Sequence, residues 1–423
     1  MSRLDSDLFE TVGKTIVTAK PVQDLLVQFL DSSLVLAEDW ENLPAPTRAA
    51  ILECVDWPTQ LSLLQEHGLL TEYQVERIEA GAIHGLVLGN YRVLDRLGAG
   101  GAGVVFKAEH CRMRREVAVK VLPLSSSQDQ RLLLRFFTEM RAVAQLQHPN
   151  IVAAIDAGET AGNGPDAPML HYFVMEYVPG QDLEQYVEKQ GPLPVAKACD
   201  LAYQIASALA EAHKHNLVHR DIKPSNVRIT PEEQAKLLDF GLARHFRHRQ
   251  TEQGTVLGTL DYMAPEQAQD AASVDIRADI YALGATLFFC LTAKPPFAIE
   301  GNLVQAVIQR LTLPAPSIRD SRPAVSVELD AVLARMMALK PEDRYATPQA
   351  VMQAMLPLLK PELHEDSIIS PLLSLSPQQT SLLGEAVAEF GDDFSKRRSP
   401  NEIVKSARFR GRGFCFPIFR PAS

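Results

Sequence analysis

Residues Val218–Ile229 read "VHRDIKPSNVRI". Six of the first nine residues, His219, Arg220, Asp221, Lys223, Ser225 and Asn226, carry a charge or a strong hydrogen-bonding group, yet apolar residues bracket the run. A second short run, "LLDFGLA", follows it and brings Asp239. Asp221 has the group needed to accept the proton of an attacking hydroxyl. Lys223 can neutralise a phosphoryl group in transfer, and Asn226 and Asp239 offer oxygen ligands for a hard cation bridging phosphates. That chemistry needs oxygen ligands for the cation, positive charge near the developing anion, and little else. His219 is read as a structural histidine, not a base.

Upstream, Leu97, Gly98, Ala99, Gly100, Gly101, Ala102, Gly103, Val104 and Val105 form a glycine-rich run. Glycines at this spacing let backbone amides approach a phosphate closely. A dinucleotide-binding turn of the same spacing would open a helix. Here Val104, Val105 and Phe106 continue as a strand, so the run reads as a hairpin that covers phosphates. A plain glycine hairpin is the bland alternative if nothing else matches. Lys120 ends the alternating strand "VAVK", and Glu139 lies in the helical pattern "RFFTEMRAV". A lysine on a strand facing a glutamate on a helix can form an ion pair that holds the amine against the α- and β-phosphates.

These stretches sit in a chain with a clear change of texture. Up to about residue 88 the pattern is helical: Leu25, Leu26, Phe29 and Leu30 share a face, with a second cluster at Leu61, Leu63 and Leu64. In "GLLTEYQVERIEAG", Thr71 and Gln74 match a capping box and Gly81 is placed to end the helix. From Tyr91, "YRVLDRLGAGGAGVVFKAEH" and "EVAVKVLP" predict three strands, "RLLLRFFTEMRAVAQLQ" a helix and "LHYFVMEYV" a further strand. From Val195 helical spacing dominates, as at Leu201, Ile205, Ala208, Leu209 and Ala212. A strand-rich half before a helix-rich half predicts two lobes with a cleft between them. After Leu359 the sequence turns Ser/Pro-rich and then basic.

The bulk numbers exclude little else. With 423 residues the chain can hold two or three domains, and 46% hydrophobic and 22% charged residues describe an ordinary globular composition. A net charge of −10 argues against a general nucleic-acid binder. The five scattered cysteines read as free thiols. The most apolar run, Ile280–Ala293, is too short to span a bilayer and reads as a buried helix. No secretory signal opens the sequence, and the expected location is cytoplasmic.

Taken in order, "GAGGAGVV", "VAVK", Glu139, "HRDIKPSN", "DFG" and "APE" (Ala264–Glu266) resemble the eukaryotic-like (Hanks-type) protein kinases, and the bacterial serine/threonine members in particular. "HPNIV", "MEYVPGQDL", "DIYALG" and "KPEDRY" agree. The resemblance spans residues 91–358. It implies an α+β bilobal kinase fold, with an N-lobe over about 91–178 and a C-lobe over about 179–358. A helical module over 1–88 would precede it, and a disordered basic tail over 359–423 would follow. It further implies that ATP and magnesium (or manganese) are the cofactors and that Ser/Thr hydroxyls on proteins accept the phosphate, as "DIKPSN" and "GTLDYMAPE" suggest. Adenine would be clamped at Glu176 and Val178, beside the gatekeeper Met175, with Asp182 near the ribose and Ala118 and Arg228 among the nucleotide-binding residues. Glu266 would pair with Arg344, and Asp279 would brace the catalytic loop.

Regulation follows from the same resemblance. Arg220 commonly receives a phosphorylated activation-loop residue in this family, and Thr255 is the expected autophosphorylation site, with Thr251 second and Thr259 contacting the catalytic Asp and Lys. Arg228 departs from the family, which places an apolar residue there as the floor under adenine. An unpaired buried guanidinium would cost several kcal/mol. Its stem could cover the ring while the head reaches water, or the head could stack on adenine. Loss of the catalytic machinery would make the chain a pseudokinase scaffold, but Lys120, Asp221 and Asp239 are all present. A homodimer through the kinase or the N-terminal module is the expected assembly partner. The tail "SKRRSPNEIVKSARFRGRGFCFPIFRPAS" reads as disordered, with contact to an anionic membrane or nucleic acid as the alternative.

Overall fold

A computed structural model of the chain describes residues 22–100, 103–122, 137, 138, 140–161, 169–240, 261–269, 274–297 and 303–359. The tail from residue 360 lies outside the described residues.

Five helices come first: α1 (Val22–Asp31), α2 (Ala37–Glu41), α3 (Ala45–Leu52), α4 (Trp57–Glu66) and α5 (Glu72–Glu79). The expected apolar faces meet in one cluster, where Leu25, Leu26, Phe29, Leu61 and Leu64 pack with Ile51, Leu69 and Ile78. Each such side chain contributes roughly 1.5–3 kcal/mol when fully buried. The capping box of α5 forms in both directions between Thr71 and Gln74. Gly81, at φ +74, supplies the left-handed residue that closes the helix.

Six antiparallel strands follow, β1 (Val87–Leu88), β2 (Tyr91–Gly100), β3 (Gly103–His110), β4 (Glu116–Val121), β5 (Ala154–Thr160) and β6 (Leu170–Glu176), in the order β1-β2-β3-β4-β6-β5. Period-2 alternation sorts the faces of β4. Val117, Val119 and Val121 join Val93, Phe106 and Val174 in one cluster. Ala118 and Lys120 point to the opposite face, where Ala118 packs with Phe173 and Met175 in the core shared with the helical half. The edge strand β1 was not expected from the sequence. Two residues leave no alternation to read, and a tight turn at Gly89 and Asn90, with Gly89 at φ +59, folds them back onto Tyr91 and Arg92. Of the helix anticipated over 131–147, residues 137, 138 and 140–143 are helical and the chain already turns at 144–145. The short bonds from Gln145 N–H to Ala142 O and from Leu146 N–H to Val143 O tighten that end. Pro149 then disfavours helix at His148.

The helix-rich half contains β7 (Gln181–Asp182), α6 (Leu183–Gln190), α7 (Val195–Lys214), β8 (Val227–Ile229), β9 (Ala235–Leu237), α8 (Pro265–Gln269), α9 (Ile276–Thr292), α10 (Leu303–Thr312), α11 (Ile318–Ser321), α12 (Val327–Met336) and α13 (Pro348–Met355). The apolar run Ile280–Ala293 falls in α9, buried along almost its whole length, and it ends on Ala293 in the left-handed region at φ +56. Among the described residues no helix is long and apolar enough to cross a membrane. The small β half and the larger helical half are the α+β, two-lobed arrangement that the motifs implied.

Candidate active site

The glycine-rich run is the tip of the β2–β3 hairpin, with Gly98 opposite Val105, Ala99 opposite Val104 and Gly100 opposite Gly103. β3 carries on as a strand, as the sequence indicated. Gly103 is obligatory: its φ is +123, and a Cβ there would lie 2.1 Å from Val121 O. At Gly98 a Cβ would meet nothing within 4 Å, so that backbone is open to an incoming group. Leu97 beside it is largely exposed. Gly101 and Ala102 lie outside the described residues.

Lys120, only 4% exposed, stands opposite Val105 on one side and Phe173 on the other. Its Nζ lies 2.7 Å from Asp239 Oδ2, an ion pair that joins β4 of the small half to the segment after β9. Glu139, the expected partner of Lys120, lies outside the described residues. Asp239 itself is in the left-handed region, at φ +55. For a non-glycine residue that conformation costs of order 1 kcal/mol and persists where surroundings impose it.

The second group gathers on the loop before β8. Asn226 Nδ2 donates to Asp221 O at 2.7 Å and to Asp221 Oδ2 at 2.9 Å. Lys223 Nζ lies 3.2 Å from the same Oδ2. The two groups are linked through Leu238, next to Asp239: its N–H donates to Asn226 O at 2.9 Å, and its carbonyl lies 2.6 Å from His219 Nε2. With that ring N–H donating, His219 Nδ1 accepts from Asp221 N–H at 3.3 Å. Both ring nitrogens of this fully buried histidine are thus occupied, and its ring packs edge-on against Phe240 at 4.7 Å. His219 is a structural residue, as its reading from the sequence had it.

Asp279, on α9, holds the loop from below. Its two carboxylate oxygens accept from His219 N–H and Arg220 N–H, each at 2.7 Å. Burial pushes this carboxyl up, against the opposing pull of His219, Arg220 and the two backbone donors. Arg220 sits at φ +66, and Gln267 Nε2 donates to its carbonyl at 3.0 Å. Arg344 grips Glu266 with both guanidinium ends, at 2.6 and 2.8 Å. Gln267 was not singled out from the sequence. Only its position directly after "APE" could have hinted at it, since its partner is 47 residues away.

Of the residues expected around the base, Met175 and Glu176 end β6 and Val178 lies just beyond it. Met175 is buried and pairs across the sheet with Ala118. It lines a cavity with Met140, Val143, Val152, Phe173, Asp239 and Phe240. The Glu176 carboxylate is taken by Lys236 Nζ at 2.7 and 2.9 Å, a partner that sequence spacing did not indicate. Val178 is buried. Asp182 Oδ1 caps α6 by accepting from Gln185 N–H at 2.8 Å, a structural task alongside the expected ribose contact. Arg228 makes contacts that were not anticipated for it. Its Nη2 donates to the backbone carbonyls of Val178, at 3.4 Å, and Gly180, so the head is tied to the segment leaving β6. Main-chain carbonyls were invisible as partners because nothing in a sequence marks where they point. Thr251, Thr255 and Thr259 lie outside the described residues.

A two-lobed fold with a glycine hairpin over one lobe, an interlobe lysine–aspartate pair and a carboxylate–amide–lysine loop defines a class of ATP-directed phosphotransferase folds. Residues 91–356 match the protein kinase domain. The chain is 38% identical over 259 residues to serine/threonine-protein kinase PknB of Mycobacterium leprae, covering 61% of this chain and 41% of that protein. It is 36% identical over 262 residues to serine/threonine-protein kinase PrkC of Bacillus subtilis, covering 62% of this chain and 39% of the relative. Among solved structures, a mutant of the PknI kinase domain of Mycobacterium tuberculosis superposes with a TM-score of 0.51 at 30% identity, over 65% of this chain and 98% of that one. The chain belongs to the protein kinase family, in its bacterial Hanks-type serine/threonine branch. It spans about two-fifths of the length of the curated relatives it matches. The family uses ATP with a divalent metal ion.

The residues present fit such an ion. Asn226 turns its Nδ2 to Asp221, which leaves its amide oxygen directed elsewhere. With the Asp239 carboxylate this gives a set of hard oxygen donors and no soft ones.

Proposed function

We propose that the chain is an ATP-dependent serine/threonine protein kinase, with the phosphate acceptor a Ser or Thr hydroxyl on a protein. The observation that carries this reading is the cluster at Asp221 Oδ2, with Asn226 Nδ2 at 2.9 Å and Lys223 Nζ at 3.2 Å. Asp221 accepts the hydroxyl proton as the acceptor oxygen attacks. Lys223 lies where negative charge on the transferring group needs offsetting. Asn226 and Asp239 are the oxygen donors for magnesium, or for manganese in its place. The bound ion would draw charge from the phosphate oxygens. Lys120 orients the α- and β-phosphates, with Glu139 as its further partner. Leu97 to Val105 cover the phosphates, and Ala118, Met175, Glu176, Val178, Asp182 and Arg228 surround the nucleoside. The kinase unit is residues 91–358, behind a helical module over 1–88.

Incubating the full chain with magnesium-ATP and mapping its phosphosites, beside an Asp221→Asn control, tests this. Phosphate on Thr255 or Thr251 in the parent alone is the expected result. No incorporation into either the chain or a generic Ser/Thr acceptor protein would instead favour a pseudokinase.

Arg228→Leu restores an apolar floor and is expected to lower the KM for ATP by a few fold, on the order of the 0.5–1.5 kcal/mol that one such contact decides. A KM that rises or stays put would mean that the bonds to Val178 O and Gly180 O outweigh the gain.

A further inference from the structure

The helical module is bonded to the small lobe at the most irregular point of β2. The register of β2 on β3 slips between Val93 and Asp95 and again between Arg96 and Gly98. Such bulges bend a strand and interrupt its ladder. At the first slip, two consecutive carbonyls are taken by side chains of the capping box of α5. Gln74 Nε2 donates to Val93 O at 2.6 Å, and Thr71 Oγ1 donates to Leu94 O at 2.6 Å. Each also keeps its capping bond, Thr71 N–H to Gln74 Oε1 at 2.8 Å and Gln74 N–H to Thr71 Oγ1 at 3.2 Å. Gln74 is completely buried, so its amide has no water to turn to if the strand moves. The adjacent Tyr73 ring packs on Phe106 of β3 at 6.2 Å.

The base of the same hairpin is held separately. Buried Arg92 donates to Glu109 Oε2 at 2.9 Å and to the module carbonyls of Leu34 and Leu69 at 3.3 and 3.4 Å. Arg114 grips Asp39 with two bonds of 2.9 Å. The hairpin is therefore fixed at its base and at its bulge, and the glycine tip begins only four residues beyond Leu94. A tip cantilevered so closely from its last fixed point takes its pose from that point.

We propose that Thr71 and Gln74 are positioning residues for the nucleotide. The capping box of α5 sets the bulge from which the glycine-rich tip projects, so the helical module tunes ATP affinity in cis. This rests on the reading of Gly98–Gly103 as the cover over the phosphates. Neither residue touches the nucleotide. Their effect runs through backbone placement, and belongs in the binding of ATP more than in the chemical step.

The test uses the full chain in four variants. Thr71→Val removes the hydroxyl at constant shape, Gln74→Met removes the amide, and Thr71→Ser keeps the hydroxyl. Asp56→Ala removes the exposed N-cap of α4, whose side chain accepts from Thr59 N–H inside the module. Melting temperature, the dissociation constant for magnesium-ATP, and KM and kcat are measured for each. Thr71→Val and Gln74→Met are expected to raise both the dissociation constant and the KM for ATP about three- to tenfold, the scale of one lost buried hydrogen bond, with kcat close to the parent value. Thr71→Ser should bind ATP as the parent does, and Asp56→Ala should melt earlier with ATP affinity unchanged. Unchanged ATP affinity in Thr71→Val, or an equal loss in Asp56→Ala, would overturn the proposal and leave the module a purely structural support. Should Gln74→Met fail to fold, Thr71→Val decides alone. A parent chain that binds no ATP would overturn the nucleotide site and this proposal with it, whereas normal parent binding with unresponsive variants overturns the brace only.

Discussion

Asp221→Asn is expected to lower phosphoryl transfer by about 10³-fold while ATP still binds. The substitution keeps the volume and replaces a carboxylate that accepts from Asn226 Nδ2 and faces Lys223 Nζ at 3.2 Å. An amide there cannot take the proton of the incoming hydroxyl, and it removes the carboxylate charge that faces Lys223 Nζ. The fold should survive, because the backbone around Asp221 is held independently by Asp279 and His219. Single-turnover transfer from labelled ATP measures the first effect, and nucleotide titration the second. A residual rate above about a tenth of the parent's would remove Asp221 from the role of base, since a positioned base contributes 10²–10⁴-fold.

The second large effect is on stability. Arg344 is entirely buried and Glu266 is its charged partner, at 2.6 Å and 2.8 Å. The guanidinium also donates to the carbonyls of Ala338, Leu339 and Arg277 and lies over the Tyr281 ring at 4.9 Å. Glu266→Ala would leave a buried cation facing only neutral dipoles, and the expected loss is about 3 kcal/mol. The denaturant midpoint should fall while the slope of the transition stays the same. Adding Arg344→Met should restore part of the loss, because the stranded charge goes with it. If the double variant were no more stable than the single one, the cost would lie in lost packing and not in the unpaired charge.

What could be read in advance depended on how local each signal was. The capping box at Thr71 and Gln74 was legible because both partners lie within one turn. The burial of Lys120 was not legible, because a lysine ending an alternating strand is as readily exposed, and β4 is buried on both faces from Val117 to Val121. The catalytic loop was legible through its resemblance to the kinase pattern, carried by six motifs in order and not by the loop's spacing alone. Lys236 on Glu176, Gln267 on Arg220 and Arg228 on two backbone carbonyls were not, since each contact joins segments 47 or more residues apart. The second bond made by each capping-box side chain escaped for the same reason. A sequence shows that Thr71 can cap a helix, but not that a bulge will arrive beside it.

The burial of Arg92 bears on where this protein can be cut. Family similarity begins at Tyr91, yet the guanidinium one residue later is solvated by carbonyls from Leu34 and Leu69, far outside the aligned region. A fragment trimmed to the alignment would bare that cation on one flank and strip β1 from the rim of the sheet, inviting strand-to-strand association between copies. A chain begun at Tyr91 would therefore lack the backbone partners that Arg92 has in the full one.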